Sequence, residues 1–278
     1  MVYYIKIRHR KPINPRSDGE VMLYIDRINS IEQLLIKNNS VSVNELSQMF
    51  GVSSQTIRRD LRAISQKNPT IVCIYGGAYR LVPDSEPPYD LRQGSKVEEK
   101  RRIAKRCIEK LEDGDYLFLD SSTTTLYLAK LIANLDINLT VITNGLGAID
   151  ELCKSENIKL ICIGGRYTKD TNSFIGNTAI QTLSDVYATK SFISCSGIDS
   201  AFGITHISEE ESDIRKVMLK NSKNRFLLID SNKFGRCKSY RVASLNTGLV
   251  DVIYTDCNPG EEWGGLLSNM GITLQICD

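Results

Sequence analysis

Three arginines in one short segment are the residues of this 278-residue chain whose spacing points most directly to a chemistry. They are Arg58, Arg59 and Arg62, in the segment SSQTIRRDLRAI, whose apolar residues recur at four- and three-residue steps. A helix with that period buries its apolar residues and leaves the arginines on the opposite face. A guanidinium can donate two hydrogen bonds to a phosphate or to the edge of a guanine. The spacing therefore indicates nucleic-acid contacts, with a merely solvated helix face as the alternative.

The residues before these arginines predict a helix-turn-helix. Ser42 and Glu45 have the spacing of a capping box, so a helix is expected to begin directly after Ser42. Gly51 can end that helix in a left-handed conformation, and Ser53 is placed to cap the next one. An apolar-faced helix is also predicted over residues 25–35. This combination is typical of a DNA-binding helix-turn-helix and outweighs the solvated-face interpretation.

A two-stranded wing is predicted after the second helix. Asn68 and Pro69 should stop the helix, and the segment TIVCIYGGAYRL alternates around a Gly-Gly pair. Residues 23–80 are thus predicted to form a winged helix-turn-helix domain that binds double-stranded operator DNA. The expected DNA-binding residues are Ser53, Ser54, Gln55, Thr56, Arg58, Arg59, Arg62, Tyr75, Gly76 and Gly77.

Charge is distributed unevenly along the chain. Residues 1–80 hold 12 Lys and Arg against 6 Asp and Glu, whereas the remainder holds 23 against 27. A basic N-terminal part followed by a slightly acidic remainder is typical of a DNA-binding domain joined to a domain that does not bind DNA.

Two segments are expected to lie outside the folded domains. Residues 1–22 are basic, lack a repeating apolar face and predict a disordered leader. The leader is interpreted as an extension or as the result of a start placed upstream of Met22, and a basic arm that binds phosphates is the alternative. Residues 81–95, LVPDSEPPYDLRQGS, are rich in proline and polar residues and predict a linker.

From Lys96 onward, helical and strand-like apolar segments alternate, which predicts an open α/β sheet over residues 96–278. The apolar run DYLFLD leads into a Ser/Thr run at 121–125 just before a helix. Backbone amides and hydroxyls at a helix N-terminus favour a phosphate, although such a run is also a common cap and turn. Four further runs end at Asn144 and Gly145, Gly164 and Gly165, Gly197 to Asp199, and Ser231 to Lys233. In a parallel sheet these ends share one edge, where ligands usually bind.

The eight cysteines never occur at two-residue spacing, so no zinc site is predicted, and neither a metal nor a cofactor is expected. Several lie in apolar runs, where a thiol behaves as a small apolar group. Reduced cysteines and a cytoplasmic location are therefore expected. No apolar run approaches the length of about 20 residues that a membrane-spanning helix needs, so no membrane partner is expected.

The N-terminal motifs resemble the DNA-binding domain of the DeoR family of bacterial sugar-metabolism repressors. TIRRDL stands at 56–61, and the GGA of the family's wing stands at 76–78. Cys73 and Tyr75 occupy wing positions where the family commonly carries arginine and histidine. The resemblance implies that the helix and the wing contact an operator.

Residues 100–256 resemble the sensor domain of the same family, which shares its fold with ribose-5-phosphate isomerase. The matching motifs are the family's D-x-G-T-T, TN, GG, GID, E-x-x-x-K-R, D-x-x-K-F-G and TD, with Ser122 in place of the glycine. The ligand-binding residues that the resemblance implies are Asp120, Ser122, Thr123, Thr124, Asn144, Gly165, Gly197, Asp199, Glu211, Arg215 and Lys233.

The sequence thus predicts a cytoplasmic repressor of a sugar or carbohydrate operon that a phosphorylated sugar releases from DNA. Symmetric operators require a homo-oligomer, a dimer or a tetramer. One alternative is an isomerase-like enzyme for sugar phosphates, with Glu211 or Asp199 as its base. Another is an oligomer that binds DNA independently of any ligand. The expectation is that the protein is not an enzyme.

Overall fold

The computed structural model describes residues 23–82 and 85–278, so the predicted leader at 1–22 lies outside the described residues. The chain divides into two compact units, Met1–Val82 and Pro83–Asp278. No described helix is both long enough and apolar enough to cross a membrane.

The described part of the N-terminal unit folds into three helices and a small antiparallel sheet with the strand order β1-β3-β2. The elements are α1 (Tyr24–Asn38), β1 (Ser40–Ser42), α2 (Val43–Phe50), α3 (Ser54–Lys67), β2 (Ile71–Ile74) and β3 (Gly77–Arg80). The predicted hairpin is present, and β1, which was not predicted, pairs with β3. A winged helix-turn-helix results.

Most of the predicted start and stop residues of α2 and α3 are confirmed. Gly51 ends α2 in the left-handed region at φ 64°, and the Ser53 side chain caps α3. Helix α2 begins at Val43, but the Ser42 side chain makes no capping hydrogen bond, so the predicted capping box is wrong. Ser42 instead ends β1, where its backbone pairs with Gly77. Pairing to the wing therefore fixes the start of α2.

The C-terminal unit, described over residues 85–278, alternates helices and strands as the sequence predicted. Its helices are α4 (Tyr89–Gln93), α5 (Val97–Ile108), α6 (Thr123–Ile132), α7 (Leu146–Leu152), α8 (Asn177–Ser184), α9 (Glu209–Lys220) and α10 (Glu261–Asn269), with 3₁₀ turns at Ser231–Lys233 and Leu245–Thr247. Its strands are β4 (Tyr116–Leu119), β5 (Leu139–Thr143), β6 (Ile158–Cys162), β7 (Arg166–Thr168), β8 (Ser173–Ile175), β9 (Ala188–Ile193), β10 (Gly197–Asp199), β11 (Gly203–His206), β12 (Ser222–Leu228), β13 (Tyr240–Ala243), β14 (Val252–Thr255) and β15 (Thr273–Ile276).

Seven of these strands form a parallel sheet in the order β15-β14-β12-β9-β4-β5-β6. The chain enters at β4, adds β5 and β6 on one side, and then adds β9, β12, β14 and β15 on the other. The direction of addition reverses between the neighbours β4 and β9. Segments that leave two adjacent parallel strands in opposite directions open a crevice at the carboxyl edge, which is the usual ligand site of such sheets.

Both faces of the sheet are covered, because successive side chains of a strand point to opposite faces. In β4, Leu117 and Leu119 pack with α5, α6 and α7, whereas Phe118 packs with α8, α9 and α10. The buried sheet holds the ends of its strands rigidly. Two smaller antiparallel sheets, β10-β11-β13 and β7-β8, lie outside it.

The segment predicted as a linker contains ordered structure from residue 85 onward. Helix α4 lies within it, and both Tyr89 and Leu91 are buried. The Tyr127 hydroxyl donates to the Gln93 carbonyl oxygen at 3.1 Å, which fixes the segment to α6. Residues 85–95 therefore pack as part of the C-terminal unit and not as a free linker, because apolar side chains interleaved with the prolines are sufficient to dock them.

Candidate functional site

The solvent-facing side of α3 carries four of the predicted DNA-binding side chains. The residues on its inward side, Ile57, Leu61 and Ile64, are at most 2% exposed. The four predicted side chains, which are all exposed, are Gln55, Arg58, Arg59 and Arg62. This division between an apolar and a basic face is the one that the spacing predicted.

The N-terminal end of α3 presents hydroxyl groups. Ser53 Oγ accepts from the Thr56 backbone N–H at 3.2 Å and lies 3.0 Å from Thr56 Oγ1. Ser53 is exposed, and Ser54 and Thr56 are half-buried. In helix-turn-helix proteins the N-terminal residues of the second helix reach the base edges of the major groove. Ser53, Ser54 and Thr56 therefore lie at the end of α3 from which side chains can reach base edges.

Asp60, which lies between the arginines in the sequence, has a structural role. Arg27 Nε donates to Asp60 Oδ2 at 2.6 Å, and both residues are buried. This ion pair fixes α3 to α1. The basic face of α3 is therefore free of an acidic neighbour at position 60.

The wing completes a basic cleft next to α3. Tyr75 is 73% exposed at the turn between β2 and β3, and Gly76 follows it in the left-handed region at φ 89°. A cleft of about 430 Å³ is lined by Arg58 and Arg62 from α3 and by Tyr75, Gly76 and Gly77 from the wing. Gly77 is itself buried, so it can offer a partner only its backbone.

In the C-terminal unit, Asp120 lies at the crevice between β4 and β9. Its Oδ1 accepts from Ser122 N at 3.0 Å and from Thr125 Oγ1 at 2.7 Å. Its Oδ2 accepts from Ser194 N at 2.9 Å and from Arg215 Nε at 2.8 Å. Four donors occupy the lone pairs of the carboxylate. Asp120 is therefore suited to positioning the loops around the crevice, with no acceptor left for a ligand.

Glu211 and Arg215 lie one turn apart on α9 and are almost fully buried. Arg215 Nη1 donates to the Glu211 carboxylate and, at 3.0 Å, to the Glu211 carbonyl. Ser121 Oγ donates to Glu211 at 2.8 Å, and Ser173 donates to its other oxygen. Burial would raise the pKa of Glu211, but the Arg215 charge together with His206 and the hydrogen bonds from Ser173 and Ser121 holds that pKa below its ordinary value. Glu211 is thus an ionised, saturated acceptor.

The first turn of α6 offers unused donors. Ser122 caps the helix by accepting from Thr125 N at 3.1 Å. Thr123 and Thr124 are 4% and 7% exposed, and among the described residues neither their hydroxyls nor their backbone N–H groups have an acceptor. Donors at the positive end of a helix are the groups that bind an anion.

Asn144 lies beside that turn, at the end of β5. Its Nδ2 donates to the Phe174 carbonyl at 3.3 Å, while its buried Oδ1 has no partner among the described residues. The next residue, Gly145, passes so close to the preceding loop that an added Cβ would lie 2.9 Å from Ser121 Cα. The loops after β4 and β5 therefore share one edge, as predicted.

Two of the predicted glycines are required by close backbone approaches. A Cβ on Gly165, at φ 106°, would lie 2.6 Å from the Ile175 carbonyl oxygen, and one on Gly197 would lie 2.3 Å from the Arg236 carbonyl oxygen. Asp199 Oδ1 accepts from Ala201 N at 3.0 Å and from Phe202 N at 2.7 Å, which shapes the turn from β10 to β11. The contacts of Gly197 and Asp199 within the described chain are those of structural residues.

Lys233 lies on the 3₁₀ turn after β12, and its charge is already paired. Its Nζ donates to Glu86 Oε1 at 2.8 Å, and Glu86 Oε2 lies 3.6 Å from Arg92 Nη1. Burial would raise the pKa of Glu86, but the charges of Lys233 and Arg92 outweigh it and hold that pKa well below its ordinary range. The sequence interpretation missed Glu86 and Arg92 because both lie in the proline-rich segment that it treated as a linker.

Two lysines and a histidine near this pair were also missed. Lys96 pairs with Asp230, and the buried Lys100 donates to the carbonyls of Arg92 and Ser95. Burial and the neighbouring Arg92 charge lower the pKa of Lys100 to about 7. His206 is 5% exposed, and burial, together with the Arg215 charge, lowers its pKa, so its ring is neutral at neutral pH. Its occurrence as one of only two histidines was the available sequence signal.

Within residues 23–82 and 85–278, no group of three or more His, Cys, Asp or Glu side chains could hold a metal ion. The eight cysteines are free thiols, and Cys107, Cys195 and Cys277 are buried. Burial raises the pKa of the Cys195 thiol to about 12.

Comparison with known proteins covers both units. A family model of the DeoR-like helix-turn-helix domain matches residues 27–83, and a model of the DeoR C terminal sensor domain matches residues 95–257. The chain is 31% identical to the glycerol-3-phosphate regulon repressor of Escherichia coli K12, over 92% of this chain and 100% of that protein. It is 36% identical to the HTH-type transcriptional regulator YulB of Bacillus subtilis, over 81% of this chain and 86% of that protein. Ribose 5-phosphate isomerase A of Methanocaldococcus jannaschii aligns with a TM-score of 0.38 and 14% identity, over 50% of this chain and 55% of that chain.

Proposed function

This chain belongs to the DeoR family, and from that premise we propose that it is a transcriptional repressor of a sugar-related operon whose effector is a phosphorylated sugar. A homo-oligomer, dimer or tetramer, binds the operator in the bacterial cytoplasm. The effector binds at the carboxyl edge of the parallel sheet and shifts the population away from the form that binds DNA.

The basic cleft between α3 and the wing is the observation that supports DNA binding. Arg58, Arg59 and Arg62 are exposed, and the backbone of the wing turn lines the same cleft as Arg58 and Arg62. Phosphate contacts from such groups set the position on the duplex, whereas side chains at the helix N-terminus can read bases. The proposed contact residues are the ten predicted from the sequence.

The unused donors at the start of α6 are the observation that supports a phosphorylated effector. Thr123 and Thr124 offer four N–H and O–H donors at a positive helix end. The unpartnered Oδ1 of Asn144 lies on the same edge and can accept from a sugar hydroxyl. We propose Thr123, Thr124, Asn144 and Lys233 as direct ligand contacts, with Ser122 shaping the loop. We propose that Asp120, Glu211 and Arg215 do not contact the effector but hold the surrounding loops in place through their hydrogen bonds.

The enzyme alternative has less support. A general base needs a free lone pair within reach of the proton that it removes. Both oxygens of Glu211 accept hydrogen bonds, from Ser121, Ser173 and Arg215. Asp199 accepts two backbone N–H groups at Oδ1, in the turn from β10 to β11. The name of the Escherichia coli relative likewise describes a repressor.

The test is release of the full-length protein from the DNA upstream of its own gene. Binding is measured by fluorescence anisotropy while sugar phosphates and their unphosphorylated counterparts are added side by side. We expect one phosphorylated sugar to release the protein and its unphosphorylated form to have no effect. If the protein binds random DNA as tightly as it binds the upstream DNA, the proposal that the upstream DNA contains an operator is refuted. Specific binding that no sugar phosphate changes would support the ligand-independent alternative.

A further inference from the structure

The charge of Lys233 is paired with a carboxylate of the chain itself. Glu86 lies in the segment that precedes α4, and its side chain is only 9% exposed. One carboxylate oxygen accepts from Lys233 Nζ at 2.8 Å, while the other remains 3.6 Å from Arg92 Nη1. The second separation exceeds that of a good hydrogen bond. Glu86 therefore makes a hydrogen-bonded ion pair with Lys233 and only a longer ionic contact with Arg92.

Positive charge is in excess around this carboxylate. Arg92, Lys96 and Lys233 all lie close enough to Lys100 to lower its pKa, and Lys96 forms an ion pair with Asp230. Glu86 is the remaining carboxylate that these cations contact among the described residues. Removing it would leave Arg92 and Lys233 without an ion-pair partner among the described residues.

A phosphate suits this space better than a carboxylate does. It brings up to two negative charges and three acceptor oxygens, whereas Glu86 brings one charge and two oxygens. The planar guanidinium of arginine can donate two parallel hydrogen bonds to a phosphate. An incoming phosphate can therefore bond both cations where Glu86 bonds one closely.

We propose that Glu86 is a tethered competitor of the phosphorylated effector, and that the phosphate displaces its carboxylate from Lys233 and Arg92. The inference rests on the proposed function and adds Arg92 to the effector site. It also supplies a route for the signal. Glu86 lies four residues after Val82, the last residue of the DNA-binding unit, so its displacement acts on the chain close in sequence to that unit.

Glu86→Gln tests the competition, because glutamine keeps the size of the side chain and removes its charge. Asp90→Asn is the matched control, since Asp90 is an exposed acidic residue of the same segment. The probe is inorganic phosphate, titrated into each full-length protein by calorimetry at constant ionic strength. We expect Glu86→Gln to bind phosphate about 10-fold more tightly than the wild type, the effect of losing one partly buried charge competitor, and Asp90→Asn to match the wild type.

The outcomes separate this inference from the proposed function. Equal phosphate affinity in wild type and Glu86→Gln, or weaker binding by Glu86→Gln, overturns the tethered competitor and leaves the effector site intact. If the wild type, Glu86→Gln and Asp90→Asn all fail to bind phosphate, both the tethered competitor and the proposed effector site are overturned. Hydrogen exchange of the wild-type segment 85–95 provides a measurement that needs no variant. Faster exchange with phosphate than with chloride supports displacement, and unchanged exchange contradicts it.

Discussion

Arg215 Nε lies 2.8 Å from Asp120 Oδ2, across 95 positions of the sequence, and joins α9 to the carboxyl end of β4. The same guanidinium donates to Ser194 O at 2.9 Å, so it also holds the end of β9. Since β4 and β9 flank the point where the strand order reverses, this one side chain fixes both walls of the crevice.

Arg215→Ala should therefore destabilise the C-terminal unit strongly. It leaves the carboxylates of Asp120 and Glu211 buried without their cation, a change that typically costs about 3–5 kcal/mol. Lys216→Ala is the control, because Lys216 pairs with Asp213 on the exposed side of α9, where an ion pair is worth about 1 kcal/mol or less. Urea unfolding followed by circular dichroism measures both. Similar losses in the two variants would contradict the bridging role of Arg215.

Arg58→Ala and Arg59→Ala should each weaken operator binding without lowering thermal stability, since both side chains are exposed. At least one variant should reduce the slope of log affinity against log salt by about one phosphate contact. Anisotropy titrations at several salt concentrations give the slope. Lys37→Ala, in the last turn of α1, is a matched change of one exposed charge. If both arginine variants keep the wild-type operator affinity and the wild-type salt slope, α3 does not contact the DNA.

Lys233→Ala should leave operator binding intact and abolish release by the phosphorylated effector, because the variant loses the charge that holds the phosphate. The two sites influence each other only through the protein, so a ligand-site change need not affect DNA affinity itself. Anisotropy with increasing effector is the measurement, and Lys223→Ala, at an exposed position of β12, is the control. Half-maximal release of Lys233→Ala at the wild-type concentration would show that the ligand lies elsewhere.

The low pKa of Lys100 should appear in the pH dependence of stability. Its pKa of about 7 in the folded protein lies below its ordinary value of 10.5. The unfolded chain therefore binds more protons between these values, and the penalty for burying the lysine falls as pH rises from about 7 towards 10.5. The gain is at most about 1.4 kcal/mol per pH unit.

Lys100→Met removes that titration while keeping an unbranched side chain of similar length. The melting temperature of the wild type relative to Lys100→Met should therefore rise between about pH 6.5 and pH 9. Scanning fluorimetry in matched buffers measures the difference. A constant difference across that range would mean that Lys100 remains protonated in the folded protein.

Local patterns in the sequence determined the elements and much of their placement. The period of Ile57, Leu61 and Ile64 was sufficient to divide α3 into a buried and a basic face, because a helix places every third or fourth residue on one side. The left-handed Gly51 and the cap Ser53 were predicted for the same reason, since each depends on residues within one turn. Apolar runs that end in polar residues likewise predicted the shared edge of the parallel sheet. The exception is the run expected to end at Gly197–Asp199, because β9 ends at Ile193 and Gly197–Asp199 form β10 of a separate sheet.

Tertiary structure alone decided which polar residues at that edge have partners. Asp120, Glu211 and Arg215 carry the motifs of a ligand site, yet they saturate one another, because α9 crosses the ends of β4 and β9. Glu86 lies 147 positions from Lys233, and no local pattern relates a proline-flanked glutamate to a distant lysine. Periodicity reports which face a side chain occupies, whereas its partner depends on the path of the whole chain through the fold.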